Sequence, residues 1–330
     1  MYFTIEDYKS LIFKELADNN FEELALRIFD YQYKNNEIYN SYCKLLKINP
    51  VSIDSVLKIP FIPIELFKRF KIITGNDPVQ TIFSSSNTTG NMPSKHYVTD
   101  LDIYERSFFK GFTEFYGNPE EYCILGLLPS YLERTGSSLI YMVNELISVS
   151  KNPLSGFFLN DFETLYNTIG ELENSESKYI LIGVSFALLD FCSRYKFDVK
   201  NGIIMETGGM KGRRKEIIRE ELHSVLKNGF GVENIHSEYG MTELLSQAYS
   251  YSSGIFKSPS WMKIYVREVE DPLTVKLYGN GGLNIIDLAN INSCCFIATS
   301  DLGEVFPDSS FSISGRIDNS DIRGCNLMSL

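Results

Sequence analysis

The amino-acid sequence predicts an α/β protein in which a parallel sheet carries helices on its faces. Short apolar runs alternate with amphipathic segments from Tyr122 onward, and this alternation is typical of strands joined by helices. After about Ser246 the amphipathic segments stop, and the later short runs predict an antiparallel meander. With 330 residues and no Pro- or Gly-rich linker, the chain is long enough for one large domain with subdomains.

The elements are predicted from the N-terminus onward. Apolar residues recur at helical spacing in the stretch FEELALRIFDYQYKN, and Thr4 with Asp7 resembles a capping box. The runs QTIF and HYVT predict two strands on either side of a polar loop. The parallel strands are predicted at YCILGLL, GFFLN, YILIGV, GIIMET and NIHSEY, with helices at SSLIYMVNELI, DFETLYNTIGELEN and GRRKEIIREELHSVLKN. The meander is predicted at KIYVREV, LTVKLYG and GLNIIDL.

Charge and composition exclude several classes of partner. The net charge of -11 argues against nucleic acid or an anionic membrane as the main partner, although a small anionic ligand needs only local positive potential. The N-terminus does not resemble a signal peptide, and no stretch approaches the roughly 20 apolar residues of a membrane span. The chain is therefore expected to be cytoplasmic. Six cysteines without C-x-x-C spacing and three histidines suggest neither a disulfide framework nor a zinc site.

The polar loop SSSNTTGNMPSKHY, residues 84–97, is the first candidate functional element. It lies at a predicted strand end, where ligand sites of such sheets are found. Backbone N–H groups and hydroxyls of such a loop can bind one anion, and Lys95 adds a positive charge. The loop differs from the Walker A motif in its glycine spacing and in the residue after the lysine. A polar surface hairpin is the alternative interpretation.

A second stretch, SEYGMTE at 237–243, comes after the last predicted parallel strand and combines an aromatic ring, a glycine, a hydroxyl and a carboxylate. Alone it indicates a turn with a solvated charge. Together with the polar loop, TSDLGEV at 299–305 and SGRIDNSDIRG at 314–324, in this order, it resembles the signature of the adenylate-forming superfamily. That superfamily includes acyl-CoA synthetases, peptide-synthetase adenylation domains and firefly luciferase.

Longer stretches narrow the resemblance. LLPSYLERTGSSLIYMV, METGGMKGRRKEIIREELH and the closing RGCNL resemble the acyl-protein synthetases, the fatty-acid-activating subunits of the bacterial luminescence fatty acid reductase. The similarity runs from about Pro60 to the C-terminus. It implies a ligase that uses ATP and Mg²⁺ to activate a carboxylic acid as acyl-AMP. The acid is expected to be a fatty acid. The implied partner is a protein acyl acceptor, either an acyl reductase or a carrier protein.

The resemblance also implies roles for individual residues. The β and γ phosphates of ATP would be held by Ser84, Ser85, Ser86, Thr88, Thr89, Gly90 and Lys95. Tyr239 and Gly240 would contact the nucleotide, with the Tyr239 ring stacked on adenine. Thr242 would bond the α-phosphate and Glu243 would help to hold Mg²⁺. Asp301 would accept from the ribose hydroxyls and Arg316 would lie near the ribose or phosphate. Without a ligand, Asp301 could cap the turn SDLG and Arg316 could form a surface pair.

The implied fold is the large N-terminal domain of an adenylate-forming enzyme at residues 1–313. It would contain a helical region at 1–75, an α/β region at 76–245 and a β-rich region at 246–313. Residues 314–330 would form a tail with the hinge-like motif and Cys325. The chain departs from the family pattern at Asn87, where many members have glycine. It also ends at Leu330, so the usual small C-terminal domain is expected to be absent.

Cys325 is the candidate acyl acceptor. It directly succeeds Gly324, and Arg316 and Arg323 are near in sequence and could favour the thiolate. In the acyl-protein synthetases a cysteine near the C-terminus takes the acyl group from AMP and passes it to a partner reductase; the alternative is a thiol with no role. Two other functions stay open: an acyl- or aryl-CoA ligase that resembles the phenylacetate-CoA ligases, and a non-catalytic nucleotide-binding protein.

Overall fold

A computed structural model describes five ranges of the chain: 5–14, 18–85, 92–128, 136–208 and 218–317. The chain divides into two compact units. The described parts of 1–80, 96–100 and 257–330 belong to unit one, and those of 81–95 and 101–256 belong to unit two. Each unit is built from separate stretches of sequence. The boundaries at 75, 245 and 313, which divide the chain into consecutive regions, therefore stay predictions.

The helices and strands are numbered in chain order. The helices are α1 (Ile5–Ile12), α2 (Asp18–Asn35), α3 (Glu37–Leu45), α4 (Leu66–Arg69), α5 (Leu101–Tyr116), α6 (Ser138–Ser150), α7 (Phe162–Asn174), α8 (Ser185–Arg194) and α9 (Arg219–Phe230). The strands up to residue 239 are β1 (Ile62–Pro63), β2 (Thr81–Ser84), β3 (Lys95–Val98), β4 (Cys123–Leu127), β5 (Gly156–Phe157), β6 (Tyr179–Val184), β7 (Gly202–Thr207) and β8 (His236–Tyr239). The later strands are β9 (Ala248–Ser250), β10 (Ile255–Phe256), β11 (Met262–Arg267), β12 (Val275–Lys276), β13 (Gly279–Asp287), β14 (Phe296–Val305) and β15 (Phe311–Arg316).

The sheet of unit two has the order β5-β4-β6-β7-β8-β9. Neighbours from β5 to β8 are parallel, and β9 is antiparallel to β8. Every residue of β4 and β6 is buried, which explains why these strands are continuous apolar runs in the sequence. The predicted parallel series is confirmed. Its carboxyl edge includes the ends of β6, β7 and β8 at Val184, Thr207 and Tyr239.

The sheet of unit one is built around the long strands β13 and β14. Strands β15, β14, β13, β11 and β12 lie side by side as antiparallel neighbours, and β1 pairs in parallel with the start of β14. The predicted meander is confirmed. Gln32 of α2 is fully buried, and its amide Nε2 donates to the carbonyls of Asn290 and Ile291, so the N-terminal helices are fixed to the chain before β14.

Five cysteines, at positions 43, 123, 192, 294 and 295, are buried free thiols. Burial raises the pKa of Cys43 to about 12 and also raises that of Cys294, so neither is a thiolate at neutral pH. Cys325 and the Thr4 side of the predicted capping box lie outside the described residues. No helix in the described part of the chain is long and apolar enough to cross a membrane.

Candidate functional site

The polar loop leaves β2 from a well-anchored start in unit two. The Ser84 N–H donates to the carbonyl of Gly136 at 2.7 Å, and the Ser85 N–H donates to the Ser94 carbonyl at 3.0 Å. The Ser94 N–H in turn donates to the Ser85 hydroxyl at 2.9 Å. Part of the loop lies outside the described residues. This part includes Asn87 and four predicted phosphate-binding residues, Ser86, Thr88, Thr89 and Gly90. Both ends of the loop are therefore held in register by backbone bonds.

Lys95 is the first residue of β3, and its side chain is exposed. The next residue, His96, is buried, and its Nε2 lies 2.9 Å from the hydroxyl of Ser293. Because successive side chains of a strand point to opposite faces, this burial places the Lys95 ammonium on the solvent side. A solvated ammonium directly after the loop can attract an anion without the cost of desolvating a buried charge.

The Tyr239–Glu243 turn begins at the carboxyl end of β8. Tyr239 and Thr242 are half-buried, Gly240 is exposed and Glu243 is buried. The Tyr239 ring packs against Phe256 in a tilted arrangement, with ring centroids 5.9 Å apart. Nucleotide ligands of parallel sheets bind at this edge, which agrees with the predicted role of the turn.

Helix α5 contacts both the strand before the polar loop and the chain after the turn, within unit two. The Tyr104 ring contacts Phe83 of β2 edge to face, with centroids 5.1 Å apart. The Ser107 hydroxyl lies 3.0 Å from the hydroxyl of Ser246, three residues after the turn. Burial and then the charge of Glu238 raise the pKa of Tyr104. Tyr141 of α6 also packs on Phe83 and Tyr104.

Two buried carboxyl groups at the carboxyl edge were not singled out by the sequence. Glu206 of β7 accepts from the Ser185 hydroxyl at 3.2 Å, and its other oxygen lies 3.6 Å from Nε2 of His223. Burial favours the neutral acid of Glu206, but hydrogen bonding to His223 and the charge of Arg219 outweigh it, so its pKa is lowered. Glu238 lies on the adjacent strand. Each glutamate is the next-to-last residue of its strand, which is a signal that the sequence contains. That position does not show that the two carboxyl groups differ in their surroundings.

The surroundings of Glu206 lower its pKa, whereas those of Glu238 raise its pKa. Burial raises its pKa to about 7, against a weaker lowering by the Thr207 hydroxyl, and the like charge of Glu206 raises it further. The Thr207 hydroxyl donates to Glu238 Oε2. Glu206 and Glu238 therefore differ in charge state near neutral pH, although both are buried on neighbouring strands.

In unit one, Asp301 lies inside β14 and is buried, so the alternative interpretation of Asp301 as a turn cap is wrong: all of TSDLGEV lies within this strand. The Arg316 Nε donates to Asp301 Oδ1 at 3.0 Å. The Arg316 side chain is 76% exposed and the Asp301 side chain 9%, so this ion pair has one buried and one solvated partner. An exposed guanidinium over a buried carboxylate can exchange partners when a ligand arrives.

Arg267 is a residue that the sequence did not reveal. It is buried in β11, and its guanidinium donates to the carbonyls of Leu283 and Thr299 and to Asn284 Oδ1. Burial lowers its pKa, while the carboxylates of Glu65 and Asp301 act in the opposite direction. The group stays charged, because a guanidinium is not deprotonated in proteins. Its charge therefore faces the strand that carries Asp301.

The predicted residues fall in both units. Those of unit two are Ser84, Ser85, Lys95, Tyr239, Gly240, Thr242 and Glu243; those of unit one are Asp301 and Arg316. No group of three or more His, Cys, Asp or Glu side chains in the described ranges is arranged to hold a metal ion. A cavity of about 800 Å³ lies elsewhere in unit two, near the C-terminal end of α7 and the residues before β7. That cavity is at the amino edge of the sheet, so the carboxyl edge stays the better candidate.

The fold is that of the large domain of adenylate-forming enzymes. A 2-hydroxyisobutyryl-CoA ligase in the postadenylation state superposes with a TM-score of 0.65, at 10% identity, over 96% of this chain and 73% of the other. A long-chain-fatty-acid-CoA ligase from Archaeoglobus fulgidus superposes with a TM-score of 0.53, at 14% identity, over 76% and 54%. At such identities the likeness shows the fold alone, and it confirms the predicted fold class.

Sequence comparison identifies the family. Residues 12–329 match the family described as "Acyl-protein synthetase, LuxE". The chain is also 23% identical over 327 residues to the long-chain-fatty-acid--luciferin-component ligase of Vibrio harveyi, over 91% of this chain and 84% of that protein. The chain belongs to the LuxE acyl-protein synthetase family and is an acid–thiol ligase of that type. The resemblance predicted from the sequence is thereby confirmed.

Proposed function

We propose that this protein activates a fatty acid with ATP and transfers the acyl group to a protein thiol, first its own Cys325 and then a partner reductase or carrier protein. The observation that carries the proposal is that helix α5 contacts the strand before the polar loop through Tyr104 and the chain after the Tyr239–Glu243 turn through Ser107, in a chain of the acyl-protein synthetase family. The relative from Vibrio harveyi is named as a long-chain fatty acid ligase, which supports the choice of acid.

The first half-reaction joins two anions. A carboxylate oxygen of the acid attacks the α-phosphorus of ATP, the bond to the bridging oxygen breaks, and pyrophosphate leaves with its electrons. The residues proposed to lower the repulsion are Lys95, through its exposed ammonium, and the hydroxyls and N–H groups of the polar loop. The hydroxyl of Thr242 is proposed to bond the α-phosphate, and the Tyr239 ring is proposed to stack on adenine.

Mg²⁺ fits the donor set that this chain offers. The ion keeps several waters and is usually bound by one or two carboxylates together with substrate phosphates. A single buried carboxylate, Glu243, is therefore enough on the protein side, and the lack of a larger acidic cluster among the described residues agrees with this mode. When bound, the ion would neutralise phosphate charge. Asp301 is proposed to accept from the ribose hydroxyls, with Arg316 close to the ribose or phosphate.

The second half-reaction needs a nucleophile. The Cys325 thiolate is proposed to attack the acyl carbon of acyl-AMP, so that a thioester forms and AMP leaves. The five described cysteines are buried, and burial raises the pKa of Cys43, Cys123, Cys294 and Cys295, which makes them poor candidates. Cys325 remains as the sixth cysteine of the sequence.

Activation is tested by acid-dependent exchange of pyrophosphate into ATP. Lys95→Ala and Glu243→Gln are each expected to lower exchange by about 100-fold, the scale of losing one preorganised electrostatic contact. Lys178→Ala is the control, because Lys178 precedes β6 at the amino edge of the same sheet and pairs with Glu121 on the surface. Exchange at the wild-type level in both site variants would remove these residues from the site, and no exchange in the wild type would leave a non-catalytic nucleotide-binding protein.

Transfer is tested with radioactive fatty acid. Cys325→Ser is expected to keep pyrophosphate exchange but to lose the hydroxylamine-labile label that the wild type acquires. A series of straight-chain acids should bind more tightly by up to ~0.8 kcal/mol for each methylene until the pocket is full. Release of acyl-CoA without protein labelling, or a preference for an aromatic acid, would instead favour the CoA ligase alternative.

A further inference from the structure

Glu238 occupies a special place in unit two. It is the next-to-last residue of β8, between Thr207 of parallel β7 and Tyr249 of antiparallel β9, and it directly precedes the Tyr239–Glu243 turn. Only 8% of the residue is exposed. A carboxyl group in the centre of a sheet costs free energy unless hydrogen bonds and opposite charges compensate for the lost water.

The two oxygens of Glu238 connect two strand ends. Oε2 accepts from the hydroxyl of Thr207, the last residue of β7. Oε1 lies against the backbone of Gly240, since a Cβ built on that glycine would be 2.5 Å from it. A larger residue at position 240 would displace this carboxyl group. The carboxyl group thus contacts the start of the turn through one oxygen and the end of β7 through the other.

Among the described residues, the groups that shift the Glu238 pKa carry no positive charge. The phenol groups of Tyr104, Tyr116 and Tyr249 on α5 and β9 lie close enough for the Glu238 charge to raise their pKa values. Glu206 of β7 is one residue from Thr207, the partner of Glu238, so its side chain points to the opposite face of the sheet and its charge acts on Glu238 through the sheet. On β8, burial lowers the pKa of His236 to about 4, so that this imidazole is neutral as well. Burial is the main cause of the raised Glu238 pKa, and no cation of the described residues is among the groups that shift it, so the Glu238 carboxyl is favoured in its uncharged form up to about pH 7.

We propose that Glu238 is a positioning residue for acid activation: its uncharged carboxyl holds the Tyr239–Glu243 turn against the end of β7, and loss of its proton weakens the binding of anionic substrates at this edge. This inference rests on the proposed function. Its physical basis is that ATP and a carboxylate both bring negative charge to the residues directly after Glu238, where the low dielectric of the buried sheet strengthens repulsion. Buried carboxyl pairs with divergent surroundings are a recurrent feature of functional sites.

Glu238→Gln is the decisive variant, because glutamine has the shape of the uncharged acid, can still accept from the Thr207 hydroxyl and cannot ionise. Pyrophosphate exchange and the KM for ATP are measured from pH 6 to pH 8.5 for wild type and variant in the same solutions, so that titration of the substrates cancels. The ratio of variant to wild-type kcat/KM is expected to rise by roughly tenfold between pH 7 and pH 8.5, since the wild type then loses its proton.

Two controls separate this role from a structural one. Glu206→Gln removes the negative charge that raises the Glu238 pKa and should move the wild-type decline to lower pH. Thr207→Val removes the hydroxyl donor and should move that decline to higher pH, because the hydroxyl favours the ionised form. In an infrared difference spectrum of wild type minus Glu238→Gln, a protonated carboxyl band should disappear as the pH rises through about 7.

The outcomes are distinct. If the wild type catalyses exchange and the ratio of Glu238→Gln to wild type is constant with pH, or if the carboxyl band is absent at pH 6, the inference is overturned and the proposed function stands. If the wild type catalyses no exchange at any pH, the proposed function fails and the positioning role fails with it. A Glu238→Gln variant that does not fold would leave the Thr207→Val shift as the deciding measurement, with an unchanged decline counting against Glu238.

Discussion

The surroundings of Asp301 in unit one and of Glu238 in unit two both bury a carboxyl group beside a predicted nucleotide-binding stretch. Asp301 accepts from Arg316, and the buried guanidinium of Arg267 adds a second positive charge nearby. Glu238 accepts from one neutral hydroxyl, and the like charge of Glu206 on the adjacent strand raises its pKa. The two carboxyl groups are therefore buried to a similar extent, but Asp301 lies near positive charges and Glu238 near a negative one.

The difference shows that burial alone does not decide the charge of a carboxyl group. Desolvation penalises the ionised form at any buried position, and only a nearby cation or several donors can offset that penalty. In unit one the offset comes from arginines on β11 and β15, strands that are antiparallel neighbours of β13 and β14. Among the described residues of unit two, no arginine or lysine is one of the groups that shift the Glu238 pKa. We expect Glu238 to change charge near neutral pH.

The largest effect is expected on removing the buried cation. Arg267→Met would leave two carbonyls and the Asn284 side chain without their donor, and it would remove a positive charge that faces Asp301. The free energy of unfolding should fall by about 3 to 5 kcal/mol, the usual cost of breaking a buried charged network. Urea unfolding measures the change.

Arg267→Lys tests whether charge or hydrogen bonding dominates at this position. Lysine keeps the charge but cannot reproduce the planar set of donors, so it should recover little of the lost stability. The guanidinium lies over Gly282, where an added Cβ would be 2.7 Å from its central carbon. Full recovery by lysine, or a loss below about 1 kcal/mol for methionine, would show that the network in unit one contributes less than its burial suggests.

Sequence patterns predicted the fold because the strands of unit two are apolar runs between amphipathic helices, and because the amphipathic segments stop before the meander. Motif resemblance singled out Tyr239, Asp301 and Arg316 because these residues lie in short contiguous stretches. Arg267 and Glu238 escaped notice for a physical reason: their partners come from other strands, with Thr299 32 residues from Arg267 and Thr207 31 residues from Glu238. Such contacts depend on strand register, and the periodicity of one segment does not define register.

An intermediate effect is expected in the pH dependence of stability. The Glu238 pKa is raised from 4.5 to about 7 in the folded state, so its favourable contribution is complete below the unfolded value and is lost as pH rises through about 7. At about 1.4 kcal/mol for each pKa unit, the stability of the wild type relative to Glu238→Gln should fall by about 3 kcal/mol between pH 4 and pH 8. Unfolding by urea at several pH values measures this difference, and parallel curves would contradict it.

The smallest effect on stability is expected at Arg316. Its guanidinium is 76% exposed, so the ion pair with Asp301 is screened by solvent and should contribute less than about 1 kcal/mol. Arg316→Met should therefore unfold within about 1 kcal/mol of the wild type, in contrast to Arg267→Met, which removes an arginine close to the same carboxylate. If Arg316 lies near the ribose or phosphate of ATP as proposed, the same variant should raise the KM for ATP by about tenfold, the scale of one exposed charged contact with a ligand. Pyrophosphate exchange at varied ATP measures that constant. An unchanged KM would reduce Arg316 to a surface partner of Asp301, whereas a large loss of stability would mean that the exposed pair supports β15 on β14 more strongly than solvent screening allows.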